Sequence, residues 1–223
     1  MMECSVGALF DLSHTLAAPL LEKLTYPWEA LAHIGEFIVS LGKTLPADEY
    51  EHTDEFVWIA RTAKVAPSAS ITGPCIIGAG TEVRHCAFIR GNALVGCDAV
   101  VGNSTELKNV ILFDRVQVPH YNYVGDSILG YRAHMGAGSI TSNVKSDKTL
   151  VCVATDNGRM ETGLKKFGAI LGDNVEVGCG SVLNPGSVIG RGSNIYPLSM
   201  VRGYVPSGVI YKRQGEVAVK TQR

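Results

Sequence analysis

The sequence predicts a mostly β fold, a parallel β-helix in which the chain winds through stacked coils of short strands. The first observation is a period of six, because an aliphatic or large apolar residue recurs at every sixth position. The second is the frequency of glycine, 25 in 223 residues, which suits tight corners between strands. The third is a charged fraction of only 18%, which favours turned β structure over a helix bundle. The first run of the repeat comprises Val65, Ile71, Ile77, Val83, Ile89, Val95, Val101, Leu107 and Phe113.

Each repeat supplies one short strand and one turn, with the apolar residue pointing into a shared core. A single repeat cannot bury its apolar side, so neighbouring coils must stack. Three repeats make a triangular coil, and residues 18 apart therefore lie one above another, about 4.7–4.9 Å apart along the axis. We expect the register to break near Pro119 and to resume at Val124, Leu129 and Met135. The last run comprises Leu171, Val177, Leu183, Ile189, Ile195 and Val201.

Residues 1–62 lack this period and are predicted to form an N-terminal helical cap and linker. Apolar positions three and four residues apart predict two short helices, Leu16–Leu24 and Trp28–Leu41. The segment Thr44–Asp54 is predicted to be a polar linker. We interpret the helices as a cap over the open first coil, because the ends of a solenoid need covering. A module that binds a partner protein is the alternative.

The β-helix domain is predicted to cover residues 63–205, with an insertion at 141–168 and a C-terminal tail at 206–223. The insertion has no six-residue register, and a long excursion from a rigid coil is more often functional or disordered than structural. The basic tail is either a solvated end or part of a site for a phosphorylated cofactor. The basic residues are Lys145, Lys148, Arg159, Lys165 and Lys166 in the insertion, and Lys212, Arg213, Lys220 and Arg223 in the tail.

Composition and charge limit the classes of function. Twenty basic and 21 acidic residues give a net charge of −1, which argues against an extended surface for nucleic acid or for an anionic membrane. No apolar run approaches the roughly 18–20 residues of a membrane span, and the N-terminus has no signal-peptide pattern. The six cysteines include no CxxC pair, so we expect reduced thiols, no zinc site and a cytoplasmic protein.

Two groups of residues point to chemistry. Arg90 and Lys108 are 18 apart and should lie on adjacent coils, where two like charges are favourable if an anion bridges them. Two solvated surface charges are the alternative. His120 lies beside Tyr121 and Tyr123, and a neutral imidazole there could take a proton from an amine or hydroxyl nucleophile. A structural histidine at a corner is the alternative.

Several segments of the chain resemble the left-handed β-helix acetyltransferases. The closer resemblance is to the acetyltransferase domain of the bifunctional sugar-1-phosphate nucleotidylyltransferase/acetyltransferases, which include bacterial N-acetylglucosamine-1-phosphate uridyltransferase. The segments are Ile89-Arg90-Gly91, Glu106-Leu107-Lys108, 120–126 (HYNYVGD), 136–143 (GAGSITSN) and, for the archaeal members, 161–174. The resemblance covers roughly residues 65–205. It implies a left-handed coil and acetyl-CoA as co-substrate, and it gives no support for nucleotidyl transfer.

Residue by residue, the resemblance implies a division of roles. His120 would be the general base, and the backbone amide of Ala137 would lie near the thioester carbonyl of acetyl-CoA. Arg90 and Lys108 would hold the phosphate or nucleotide portion of the sugar. The remaining implied residues are Tyr123, His134 and Asn143 for the sugar, and Gly178, Cys179, Tyr196 and Pro197 for the pantetheine arm. From their charge, Lys165 and Lys166 of the insertion are expected to bind the phosphates of CoA.

Two departures from the bacterial members leave the sugar open. His134 stands where those enzymes carry an asparagine, and Val144 follows Asn143 where they carry a tyrosine. The sequence therefore predicts an acetyl-CoA-dependent N-acetyltransferase that acts on an amino-sugar phosphate, similar to glucosamine 1-phosphate, or on a nucleotide amino sugar. A homotrimer with sites between chains is expected. The alternatives are acyl transfer to a hydroxyl or an amino acid, and a non-catalytic module that binds nucleotide sugars or regulates a separate nucleotidyltransferase.

Overall fold

The chain winds into a three-sided parallel β-helix, and each side of the prism is a stack of short parallel strands. The computed structural model describes residues 2–156, 158–213 and 215–220. The predicted mostly β fold with stacked coils is confirmed. Arg223, one of the basic residues predicted for the tail, lies outside the described residues.

The strands of the β-helix form three faces. The first face contains Val57–Ala60, Cys75–Ile77, Ala93–Val95, Ala169–Leu171, Ser187–Ile189 and Tyr204–Val205. The second face contains Lys64–Val65, Glu82–Val83, Val100–Asn103, Gln117–His120, His134–Met135, Glu176–Val177, Asn194–Ile195 and Val209–Arg213. The third face contains Ser70–Ile71, Phe88–Ile89, Ile140–Thr141, Val182–Leu183 and Met200–Val201. Two longer strands, Glu106–Leu112 and Tyr123–Leu129, bend from the third face into the first.

Two edges of the prism carry the residues that the sequence singled out. The histidine edge joins the second face to the third and carries His120, Ala137, Cys179 and Pro197. The lysine edge joins the third face to the first and carries Arg90, Lys108 and Asp126.

Two coils are one residue shorter than predicted, and the shortening lies on the lysine edge. Leu112 pairs with Val95, and Leu129 pairs with Leu112, so the coils there repeat after 17 residues. Leu112 occupies the inward position that the sequence assigned to Phe113, and that assignment is wrong. Phe113 instead stacks on Phe10 of the N-terminal segment, with ring centroids 4.9 Å apart.

The predicted break near Pro119 is also wrong. Val118 is fully buried and pairs with Val101 in unbroken register, so the second face continues straight through this point. The sequence pattern failed because a count in sixes from Phe113 reaches Pro119, whereas a count from Leu112 reaches the inward Val118.

The N-terminal segment, residues 2–45, lies along the first face of the β-helix and reaches both of its edges. The side-chain amide of Asn109 donates a hydrogen bond to the Leu31 carbonyl at 3.0 Å, and the backbone N–H of Asp11 donates to the Asp173 carboxylate at 2.7 Å. The α-helices of this segment are Val6–Leu9, Ala18–Leu21 and Ile34–Gly42, and the 3₁₀ helices are Met2–Cys4, Leu12–His14 and Pro27–Ala32.

This placement differs from the cap that the sequence predicted, and the side chains explain it. The outward residues of the first face are apolar and fully buried, and they need a cover along the whole face. These residues are Ile76, Leu94, Ile111, Ile128, Ile170 and Val188. The edge of the first coil pairs instead with an antiparallel strand, Tyr50–Asp54, inside the predicted linker. At the other end, Glu216–Val219 pairs antiparallel with the last strand of the second face.

The insertion leaves the β-helix after Thr141 and returns at Ala169. It contains an antiparallel hairpin formed by Cys152–Thr155 and Gly158–Glu161. Phe167 is fully buried and packs against Trp28 of the N-terminal segment, with ring centroids 5.8 Å apart. The stack itself is continuous, because Ala169–Leu171 pairs directly with the end of the strand Tyr123–Leu129.

Candidate functional site

The histidine edge is a ladder of backbone hydrogen bonds that runs parallel to the axis. Gly138 donates its N–H to the His120 carbonyl at 3.0 Å, and Gly180 donates to the Ala137 carbonyl at 2.9 Å. One coil further, Leu198 donates to the Cys179 carbonyl at 2.9 Å. The ladder places the predicted base, the predicted amide donor and part of the predicted pantetheine edge in one row, one coil apart.

His120 and Ala137 each present an unused polar group on this edge. Both residues are exposed. Within the described part of the chain, the His120 ring has no hydrogen-bond partner, and the Ala137 N–H has no acceptor. Because Ala137 lies one coil from His120, the edge presents a possible proton acceptor and a possible amide donor side by side.

Asn122 links the backbone of His120 to the backbone on either side of Ala137, and the sequence did not single it out. Its side chain is buried, accepts a hydrogen bond from the His120 N–H at 3.1 Å, and donates to the Gly136 and Ser139 carbonyls at 2.9 and 3.0 Å. The corresponding position of neighbouring coils carries a small hydroxyl residue, such as Thr105 or Ser139. That exception in the repeat was the available signal.

Glycine before the corner lets successive coils approach closely along this edge. A Cβ on Gly178 would lie 2.4 Å from the Pro197 nitrogen, and a Cβ on Gly136 would lie 2.7 Å from the Cys179 nitrogen. Neither position has room for a side chain. At these two positions the surface of the histidine edge is therefore formed by backbone and not by side chains.

The lysine edge holds the predicted phosphate-binding residues, and each of them already has a carboxylate partner. Arg90 pairs with Glu106 at 2.6 Å, and this carboxylate raises the pKa of the guanidinium. Lys108 pairs with the buried carboxylate of Asp126 at 3.3 Å. The four groups carry no net charge. An anion bound here would therefore meet two paired cations, which keep further N–H groups to donate, rather than two uncompensated charges.

Tyr123 and Asn143 contact each other on the third face near the lysine edge. The resemblance implied that both residues bind the sugar. The Asn143 amide donates to the Tyr123 hydroxyl at 3.2 Å and also to the Asp126 carboxylate. Desolvation raises the pKa of Tyr123, and the charges of Asp126 and Glu106 raise it further. The phenol therefore keeps its proton at neutral pH and can still donate a hydrogen bond.

The two edges lie apart within one chain. Gly125 lies five positions after His120, on the other side of the third face, a span of at most about 17 Å. His120 therefore does not share an edge with Lys108.

His134 lies on the outer side of the second face, away from the other predicted sugar-binding residues. Its Nδ1 lies 2.8 Å from the Glu176 carboxylate on the next coil. The pair lines a polar cleft of about 360 Å³, together with Asp98, Arg115, Gln117 and Arg132. Glu176 was not singled out from the sequence, although it pairs with His134 on the neighbouring strand of the second face.

The residues predicted to bind CoA fall into two groups. Cys179, Tyr196 and Pro197 are exposed, and they lie with the half-buried Gly178 along the histidine edge. Lys165 and Lys166 are exposed on the insertion, which returns to the β-helix at the lysine edge. The insertion of one chain therefore faces away from the histidine edge of the same chain.

Two further findings concern the described residues only. No helix among them is long and apolar enough to cross a membrane. No group of three or more His, Cys, Asp or Glu side chains among them is arranged to hold a metal ion.

Comparisons with known proteins identify the relatives of this chain. The family model of the GMPPB C-terminal domain matches residues 71–191. The bifunctional protein GlmU of Methanococcus aeolicus is 34% identical over 178 residues, which cover 72% of this chain and 43% of that protein. The bifunctional sugar-1-phosphate nucleotidylyltransferase/acetyltransferase of Sulfurisphaera tokodaii is 33% identical over 112 residues, which cover 50% of this chain and 28% of that protein.

These matches confirm the resemblance that the motifs indicated. The chain spans less than half the length of the curated relatives it matches. Among solved structures, the acetyltransferase domain of PglB from Neisseria gonorrhoeae, in complex with acetyl coenzyme A, overlaps 69% of this chain and 53% of its own. The TM-score is 0.35 and the identity 18%, and so weak an overlap carries no functional argument.

Proposed function

Because the chain belongs to the family of the GMPPB C-terminal domain, whose model matches more than half of it, we propose that it is an acetyl-CoA-dependent sugar N-acetyltransferase. The acceptor is an amino-sugar phosphate similar to glucosamine 1-phosphate, or a nucleotide amino sugar. One observation carries this proposal: the unpartnered His120 ring and the unpartnered Ala137 N–H lie one coil apart on one exposed edge. The relatives named as acetyltransferases support it.

The two groups suit acyl transfer to an amine. The amine nitrogen attacks the thioester carbonyl carbon, a C–N bond forms, and the C–S bond breaks to release the thiol. His120 takes the proton that the nitrogen loses and returns it to the departing sulfur. The Ala137 N–H donates a hydrogen bond to the carbonyl oxygen as negative charge develops there. An uncharged amine attacks a thioester directly, so no covalent enzyme intermediate is needed.

The histidine edge suits an extended arm. Gly178, Cys179, Tyr196 and Pro197 continue the row beyond Ala137, with 46% of Tyr196 exposed. Cys179 acts as packing rather than as a nucleophile, since the reaction needs none. Lys165 and Lys166 reach the phosphates of CoA from the insertion of a neighbouring chain, because their own insertion lies at the opposite edge.

The acceptor lies on the lysine edge. Arg90 and Lys108 bind the phosphate with the N–H groups that their carboxylate partners leave free, and Tyr123 and Asn143 orient the ring. His134 contributes from the second face, where Glu176 holds its ring. Because these groups and His120 lie on different edges, the complete site forms between two chains.

A homotrimer brings the lysine edge of one chain beside the histidine edge of the next. The third face and its two edges expose large apolar side chains, Phe88, Tyr121, Leu198 and Met200, of which Leu198 is 85% exposed. The first face is covered by the N-terminal segment. The outward residues of the second face, such as Glu82, Gln117 and Glu176, are polar, so the third face is the apolar surface available for packing between copies. Light scattering that shows a stable monomer at micromolar concentration would contradict the trimer.

The test of function is turnover with a panel of amino sugars, their 1-phosphates and their nucleotide derivatives, followed by thiol release from acetyl-CoA. The His120→Ala variant should fold, assemble and bind acetyl-CoA, while kcat falls about 10²- to 10⁴-fold. His85→Ala is the matched control, because His85 is an exposed histidine on the same edge whose Nδ1 contacts Ser68 at 2.7 Å.

Each outcome assigns the chain to one class. Turnover that His120→Ala abolishes and His85→Ala preserves supports the enzyme. Turnover that survives both substitutions removes His120 from the chemistry. No turnover with any acceptor, from folded and assembled protein, leaves a module that binds nucleotide sugars without catalysis.

A further inference from the structure

Asp126 is a buried carboxylate on the lysine edge. Its side chain is 6% exposed. Its two oxygens accept from Lys108 Nζ at 3.3 and 3.4 Å, from the side-chain amide of Asn109 at 3.0 Å, and from the side-chain amide of Asn143. Two of these three donors are the residues proposed to bind the acceptor sugar phosphate.

The backbone does not require a carboxylate at this position. Asp126 has a φ of 47°, in the left-handed region, and the preceding coils place Asn92 and Asn109 in the same conformation at the same corner. Later coils use Gly186 and Gly203 there. Asparagine and glycine satisfy such a turn without charge. Burying a carboxylate is costly unless it is paired, so the charge must be retained for what it contacts.

The contacts fix the direction of two side chains. Lys108 Nζ is drawn toward both oxygens of the carboxylate, and the Asn143 amide must present its NH₂ to Asp126 and to the Tyr123 hydroxyl. The carbonyl oxygen of Asn143 is then the end left for an acceptor hydroxyl. An amide at residue 126 would add a third NH₂ group to those of Asn109 and Asn143, and one donor would lose its acceptor.

We propose that Asp126 is a positioning residue for the acceptor sugar: it sets the orientation of Lys108 and Asn143 without touching the substrate. This inference rests on the proposed function of the lysine edge. It assigns recognition of the acceptor to directed hydrogen bonds, since the paired groups of the edge carry no net charge.

The test compares two matched substitutions, Asp126→Asn and Asp173→Asn. Asp173 is also a corner carboxylate whose side chain is 6% exposed and pairs with a cation, Arg191 at 3.3 Å. It lies on the edge between the first and second faces and holds the backbone N–H groups of Asp11 and Tyr131. The two substitutions remove the same charge at the same burial. Only one of them touches the acceptor residues.

The expected result is selective. Asp126→Asn should raise KM for the amino-sugar acceptor about 10- to 100-fold, the worth of one hydrogen bond to a charged group. Its kcat and its KM for acetyl-CoA should stay within about threefold of wild type, because the lost contact orients the acceptor in ground and transition states alike. Asp173→Asn should leave both KM values unchanged, whatever it does to the melting temperature. In an Asn143→Ala background, Asp126→Asn should add less than it does alone.

A second variant covers a failure to fold. Asp126→Gly removes the carboxylate and suits the left-handed backbone, as Gly186 and Gly203 do in later coils. It should show the same selective rise in KM. Equal acceptor KM in wild type and in the folded Asp126 variants, or full additivity with Asn143→Ala, would overturn the positioning role and leave the proposed function standing. No turnover by wild type with any amino sugar would overturn both.

Discussion

Gly102 offers a sharp test of how the coils hold the histidine edge. It lies in the strand Val100–Asn103, one coil before the strand that ends at His120. A Cβ at this position would lie 1.6 Å from the Pro119 carbonyl oxygen and 1.9 Å from its carbon. Real Cβ contacts stay above 3.0 Å, so the backbone beside His120 must retreat by about 1.4 Å. Overpacking of this kind costs about 1–3 kcal/mol or more.

The Gly102→Ala variant should therefore lose stability and activity together. We expect the free energy of unfolding in urea to fall by at least about 2 kcal/mol. A displacement of about 1 Å at a reacting group can lower the rate by about 10²-fold, so turnover by the folded fraction should also fall. Gly7→Ala is the control, since nothing lies within 4 Å of its Cβ and alanine favours the helix there. Its urea midpoint should stay level or rise.

The measurement is a pair of urea unfolding curves, with the rate of thiol release from acetyl-CoA recorded on the same samples. If Gly102→Ala unfolds at the wild-type midpoint with the wild-type slope, the close approach of the two coils is not a constraint. Glycine at residue 102 would then not be required for the close approach of the coils beside His120.

Three further predictions follow from burial and charge. Lys165→Ala combined with Lys166→Ala should raise the dissociation constant of acetyl-CoA in calorimetry, and an unchanged constant would remove the insertion from CoA binding. Phe167→Ala should lower the free energy of unfolding by about 3–5 kcal/mol in urea, because the ring is fully buried; a loss below about 1 kcal/mol would show that the insertion is not anchored there. Burial raises the pKa of the Cys75 thiol to about 12, so at pH 8 this thiol stays protonated and a maleimide should label the exposed Cys86 and Cys179 before it, as peptide mass mapping would show; equal labelling of Cys75 in folded protein would contradict the burial.

The sequence predicts correctly that short strands stack into coils, but it does not predict the exact length of every coil. A period of six predicts stacked strands because each strand buries one residue, and that pattern holds from Val65 to Leu107. The shorter corner after Leu107 escaped notice because Phe113 is also large, apolar and fully buried. Its burial comes from the N-terminal segment, a long-range contact that a local period does not report.

The position of the N-terminal segment was missed, although a signal for it was present. The first face has an apolar residue before each inward one, as in Ile76 before Ile77 and Leu94 before Val95. Such pairs predict a strand buried on both sides. A face buried on both sides requires a cover, and residues 2–45 supply it.

The candidate site was predicted in its parts but not in its arrangement. The motifs singled out His120, Ala137, Arg90 and Lys108, and all four lie at corners of the coil. The partners that surround them were missed, because a carboxylate such as Glu106 or Asp126 is ordinary in a sequence and gains meaning only from its neighbours on other coils. The spacing along the chain shows which coil a residue lies on, but it does not show which charged side chains lie beside it.

The cover on the first face also sets an order of assembly for the chain. Phe10 packs on Phe113, but Asp11 bonds to Asp173, 162 residues later, so this part of the segment gains its last partner only after most of the coils exist. Contacts of such separation slow folding, because the long loop must close before it gains anything. Until the coils as far as Asp173 have wound, the outward apolar residues of the later coils and the part of the segment around Asp11 both stay exposed to water. A chain in that state exposes two apolar surfaces to aggregation, and the segment completes its docking only after the late coils have formed.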